Sequence, residues 1–204
     1  MNHLAHLFLA GDSAESLIGN LSGDFVKGPL GNRFPDAIRD GIMQHRRIDA
    51  FTDEHPAVAA FRRVLVPEHG HYARVIADMF FDHFLALRFD EYAGEPLESF
   101  LARTFATIDP HAETLPGMLR ALYPRIRDEG WLQSYRAIGS IHGALRNISF
   151  RFSRRPRPQL ETATRHLVDS RMELERRFEE FFPDVVAFAR TGRTASHDDG
   201  TAIR

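Results

Sequence analysis

The chain contains no cysteine, which excludes disulfides, thiolate metal sites and a cysteine nucleophile. Its cations are 25 arginines and a single lysine, Lys27. No apolar run approaches the ~20 residues that span a bilayer. The opening MNHLAHLFLA lacks the basic region of a secretory leader and is followed by GDSAES, so a cytoplasmic protein without a membrane partner is expected. There is no GxSxG elbow, phosphate loop or dinucleotide fingerprint, which removes serine-nucleophile and Rossmann-type chemistry. No segment alternates Val, Ile and Thr in the manner of a strand.

What is present is helical. In 204 residues, 43% are hydrophobic and 17 are phenylalanine, enough for a real core in one domain, expected over 1–190. The polar stretch 191–204 is expected to be a disordered tail. Periodicity places helices near 2–10, 14–26 and 36–53, the second capped by Asp12 or Ser13. The third stops before His55-Pro56, because the residue preceding proline is pushed out of the α region. Further helices are expected near 56–66, 70–90, 95–107, 112–128 and 131–150. A long one starts near 159, with Leu160, Leu167, Leu174, Phe178 and Phe181 on one stripe, and is expected to end at Pro183. The fold class is all-α, an irregular multi-helix bundle.

Several polar groups fall where a core belongs. On the 36–53 helix, His45, Asp49 and Thr52 share an arc with Ile38, Gly41 and Ile42. The i, i+4 spacing presents His45 and Asp49 together, which suits either a two-ligand metal face or a salt-bridged helix. VIADMFFDHFLALRF (75–89) is apolar nearly all round, yet Asp82 and His83 sit at its centre; they are ligands or members of a buried hydrogen-bonded network. His3 and His6 share a face of the first helix, His6 nearer its apolar run. In GNLSGDF (19–25), Asn20 and Asp24 are spaced i, i+4, and Gly19 and Gly23 allow a neighbouring helix to approach closely.

Together, His6, Asp24, His45, Asp49, Asp82 and His83 form an imidazole–carboxylate set suited to Mn²⁺, Mg²⁺, Fe²⁺ or Zn²⁺. Arg46 and Arg47 offer forked donors for phosphate, or simply a solvated face. The chemistry this favours is metal-assisted phosphoester hydrolysis, with metal polarisation of a phosphoryl oxygen and a carboxylate or imidazole handling the proton.

The stretches NHLAHLFLA, GNLSGDFVKG, HRRIDAFTD, DHFL, WLQSYR, SRRPR and FFPD are collinear and span about 1–190. In that order they resemble the acyl carrier protein phosphodiesterases, a family similar to the all-α HD-type metal-dependent phosphohydrolases. The resemblance implies an HD-domain-like fold and hydrolysis of the phosphodiester joining 4′-phosphopantetheine to a serine of holo-acyl carrier protein, with Mn²⁺ as cofactor. It also implies His6, Asp24, His45, Asp82 and His83 as metal ligands, with Asp49, Arg46, Arg47 and Asp53 in catalytic roles. The adjacent His-Asp pair of HD enzymes is reversed here, as Asp82-His83. A nucleotide or other small phosphoester is the alternative substrate.

Residues 130–160 carry six arginines and no acid. Acyl carrier proteins are acidic, so Arg151, Arg154, Arg155 and Arg157 are expected to steer and dock one; nonspecific basic surface is the competing reading. The segment is too short, and too lacking in motifs, to suggest nucleic acid.

Overall fold

The computed structural model describes residues 1–153 and 156–195, so Arg154, Arg155 and 196–204 lie outside the described residues. Among the described residues there is no strand, and no helix is long and apolar enough to cross a membrane. The helices are α1 (His3–Leu9), α2 (Ala14–Ser22), α3 (Asp36–Glu54), α4 (Pro56–His69), α5 (Ala73–Leu87), α6 (Phe89–Ala93), α7 (Leu97–Ile108), α8 (Gly117–Asp128), α9 (Ile138–Ser149), α10 (His166–Asp169) and α11 (Arg171–Ala195). Short 3₁₀ turns join several of them.

Local chemistry explains the boundaries. Ser13, rather than Asp12, caps α2 by accepting from the Ser16 amide at 3.2 Å. α3 ends at Glu54, and His55 caps α4 by accepting from the Ala57 amide, with Pro56 at its first position. The expected 70–90 helix begins instead with a 3₁₀ turn at Gly70–Tyr72, because Gly70 has φ +52°, a conformation that glycine adopts at little cost and that ends α4.

The last helix differs most from expectation. Residues 160–165 form a 3₁₀ turn and 166–169 a single α turn before α11 begins at Arg171. α11 then runs through Pro183 to Ala195, so 191–195 are helix and not tail. An interior proline costs about 3 kcal/mol. Phe181, Phe182 and Val185 around it are fully buried, and together contribute roughly 5–8 kcal/mol. Packing therefore outweighs the break.

α5 is the central helix, with Phe80, Phe81, Phe84 and Leu85 at 1% exposure or less. Its rings meet Phe61 of α4 (ring centroids of Phe61 and Phe81 4.8 Å apart) and Phe178 of α11 (5.7 Å from Phe84). α1 lies across this core with Leu4, Ala5, His6, Leu7 and Leu9 all buried.

α2 and α3 meet backbone to backbone. A methyl group placed on Gly19 would lie 2.6 Å from both the Gly41 Cα and the Ile38 carbonyl oxygen. Only glycine permits that approach, as the small-residue spacing suggests. Asn20 and Gln44 seal it: Asn20 Nδ2 donates to Gln44 Oε1 at 2.9 Å, and Gln44 Nε2 donates to the Leu9 carbonyl at 3.3 Å, tying α1 to the pair.

Gly19→Ala is expected to destabilise the fold by about 1–3 kcal/mol through overpacking, read as a lower urea midpoint at unchanged slope. Gly143→Ala in α9 meets nothing within 4 Å and should instead stabilise by about 0.5–1 kcal/mol through helix propensity.

Candidate metal centre

Three helices bring polar atoms to one point. α1 supplies His6, α3 supplies His45 and Asp49, and the 3₁₀ turn after α2 supplies Asp24. The ligand atoms of His6, His45 and Asp49 lie within 4.8 Å of one another. Asp49 bridges the two imidazoles: its Oδ1 is 3.1 Å from His6 Nε2 and its Oδ2 is 3.2 Å from His45 Nε2. The two rings stack with centroids 3.7 Å apart. Asp24 Oδ1 stands 3.7 Å from His45 Nε2, an ion-pair distance.

His45 is held from behind. Its Nδ1 pairs with the Asn20 carbonyl at 2.9 Å; a proton on Nδ1 leaves Nε2 to face the carboxylates. Gly23 makes room for the ring, since a methyl group there would lie 2.1 Å from His45 Cγ. The glycine of GNLSGDF thus places a metal-ligand candidate.

Electrostatics fit the same reading. Burial opposes charge on His45, yet Asp24 and Asp49 outweigh it and raise its pKa to about 9. Burial, then the charge on His45, lowers His6 to about 3, so one ring is charged and its stacked neighbour neutral. Burial would raise Asp49, but hydrogen bonds from His45 and His6 hold it well below the carboxylate range. The Met1 ammonium, also buried, pairs with Asp49 Oδ1 at 3.0 Å and Asp78 Oδ1 at 3.3 Å. Converging carboxylates compensated by an imidazolium and an ammonium form a place for positive charge. Two imidazole nitrogens with carboxylate oxygens are a donor set that fits a divalent cation of the manganese, iron or zinc type.

Asp82 and His83 are not brought to this cluster. Asp82 Oδ2 accepts from the Leu4 amide at 2.8 Å and Oδ1 from the Ala5 amide at 3.0 Å. Both oxygens are thus spent on the N-terminus of α1, where a carboxylate satisfies orphan amides. Burial lifts its pKa to about 7 even so. His83 Nδ1 pairs with the Tyr135 carbonyl at 2.7 Å. The buried-network alternative for the DH pair describes its geometry, and Asp82 acts by fixing the helix that carries His6.

The other expected catalytic groups scatter. Arg46 Nη2 donates to the Val26 and Gly28 carbonyls at 3.0 and 2.8 Å, gripping the loop on either side of Lys27. Arg47 is exposed and lines a separate hollow with Phe188 and Thr191. Asp53 is paired with Arg62 at 2.8 Å and with Arg74. Residues 46 and 47 point away from the arc of 45 and 49 by helix geometry, whereas Asp53, one turn beyond Asp49, is taken up by its two arginines.

A cleft of about 510 Å³ opens on the centre. Asp24, Asp49, Asp78 and His3 line it together with Phe25, Val75, Met79, Met118 and Ile148, and Lys27 and Arg151 also line it. Arg157 lies over the exposed Phe150 ring, 4.7 Å from its centroid. Lys27, Asn20 and Asp78 were not singled out as site residues from the sequence. Asp78 precedes Asp82 by one helical turn, and that i, i+4 spacing was the available signal. Lys27 carried none beyond being the only lysine.

Comparison with known proteins follows the same line. The family profile described as "Acyl carrier protein phosphodiesterase" matches residues 1–185. Proteins of that name are similar to this chain: one from Serratia proteamaculans is 35% identical, with 93% of this chain and 98% of the relative covered. Those from Yersinia pestis and Salmonella dublin are 32% and 34% identical over 93% of this chain and 98% and 97% of their own. No solved structure matches. The chain belongs to the acyl carrier protein phosphodiesterase family.

Proposed function

We propose that this protein is a divalent-metal-dependent phosphodiesterase that hydrolyses holo-acyl carrier protein. Water adds to phosphorus, the bond to the serine oxygen breaks, and 4′-phosphopantetheine leaves as the serine hydroxyl is restored. One observation carries the reading: Asp49 and Asp24, the carboxylates that meet His6 and His45, line a cleft that Phe25, Val75, Met79, Met118 and Ile148 also line. That pairing suits a phosphodiester attached to a long, largely uncharged arm.

In this reading His6, His45 and Asp49 hold the metal, with Asp24 as a further ligand or the group that takes the proton. Manganese is the cation favoured by resemblance, with Mg²⁺, Fe²⁺ and Zn²⁺ compatible with the donors. A divalent cation supplies polarisation of a phosphoryl oxygen and acidifies a water. The chain's part is to orient. Asn20 fixes the His45 ring, Asp82 fixes α1, and Lys27 and Arg151 meet phosphate oxygens. Arg46 serves through Lys27, by gripping the flanking carbonyls. Arg151 and Arg157, beside exposed Phe150 and Met118, offer a basic rim with apolar footholds to an acidic carrier protein. Arg154 and Arg155 belong to the same stretch and lie outside the described residues. Such a substrate would place the enzyme in the cytoplasm.

Incubation with holo-acyl carrier protein and Mn²⁺ should remove the phosphopantetheine arm, read by intact mass. An unchanged carrier under Mn²⁺, Mg²⁺, Fe²⁺ and Zn²⁺ would defeat the proposal, and turnover of free nucleotides alone would move it to the small-phosphoester reading. His45→Ala and Asp49→Asn should each lower kcat/KM by at least about 100-fold, near 3 kcal/mol of transition-state stabilisation. Gly23→Ala, which displaces the His45 ring, should lower it by about 10-fold or more, with a circular dichroism spectrum like the parent's. Arg151→Glu should reduce kcat/KM on the intact carrier protein by roughly 10-fold or more at low salt, the difference shrinking as ionic strength rises.

A further inference from the structure

We infer that Glu68, His69 and His166 form a second cation site, of the zinc class, remote in sequence from the first centre and sharing no residue with it. His69 is the last residue of α4, and His166 opens α10. The ligand atoms of the three residues lie within 4.8 Å of one another. The rings meet edge to face, centroids 5.6 Å apart.

The second observation is that Nε2 of His69 and Nε2 of His166 are both buried without a hydrogen-bond partner. Unpaired buried polar atoms are costly, and two in one cluster call for a shared occupant. Glu68 Oε1 stands 3.6 Å from His166 Nε2, close to the roughly 3.4 Å between neighbouring donors of a tetrahedral ion with bonds near 2.1 Å. The other oxygen of Glu68 pairs with Arg165, an arrangement in which one oxygen is fixed and the other is free to ligate. Two imidazoles with one carboxylate favour zinc over magnesium or calcium.

Three protein ligands leave a fourth position. Glu68 and His69 line an adjoining hollow of about 480 Å³ that also carries Tyr72, Gln159 and Thr162, so water can complete the shell. An ion here would tie α4 to α10 and pin the segment that leads out of the basic stretch.

The test is Zn²⁺ itself, titrated into the metal-stripped full chain, with bound equivalents counted and the thermal midpoint followed. His166→Gln should bind one equivalent fewer than the parent and lose the zinc-dependent rise in midpoint attributable to this site. His45→Ala should retain that equivalent, which separates this site from the first centre. Glu68→Gln, at an exposed residue, should weaken this site by 10-fold or more. If His69→Gln, His166→Gln and Glu68→Gln all bind zinc with the parent's stoichiometry and affinity, the inference is overturned, whatever the outcome for the phosphodiesterase.

Discussion

The contact of α2 and α3 through Gly19 and Gly41 is the constraint on which the rest of the centre depends. It brings the end of α2 so close to α3 that the His45 ring lies over Gly23. The same approach lets the Asn20 carbonyl reach His45 Nδ1. A ligand candidate on one helix is therefore oriented by the backbone of another. Backbone acceptors have no rotamers to freeze, so this positioning carries little entropic cost.

α1 is held by a different device. Its short length gives it little stability of its own, and its buried face brings His6 to the centre only if its N-terminal amides are satisfied. Asp82 does this from α5, the most buried helix of the fold. The carboxylate nearest the middle of the core thus serves the centre indirectly. It fixes the frame, while Asp49, at the cleft wall, touches both imidazoles. Burial separates the two roles: the half-exposed carboxylate faces the cleft and the fully buried one caps a helix.

How much was legible depended on whether a feature is local. The i, i+4 pair His45 and Asp49 lies on one face by helix geometry alone, and the structure places it there. Gly19 and Gly23 could be read as close-approach positions because an absent side chain has few other uses on a helix. Asp82 and His83 illustrate the opposite. Their burial was evident from the apolar run around them, but not their partners, since a buried carboxylate is satisfied equally by metal or by amides. Arg46 and Arg47 were ambiguous for the same reason: a guanidinium grips carbonyls as readily as phosphate.

From sequence alone came the helical class, the absence of cysteine, the His45–Asp49 face and the family. These rest on composition, short-range periodicity and collinear motifs, which do not need the chain to be folded in space. Tertiary structure decided which polar groups meet. It joined His6 to Asp49 across 43 residues of chain, sent Asp82 to the α1 amides and Asp53 to arginines, and chose Lys27 and Arg151 for the cleft. Those choices turn on a few ångströms of helix approach and on which carbonyls lie within reach, and neither distance is written in the order of residues.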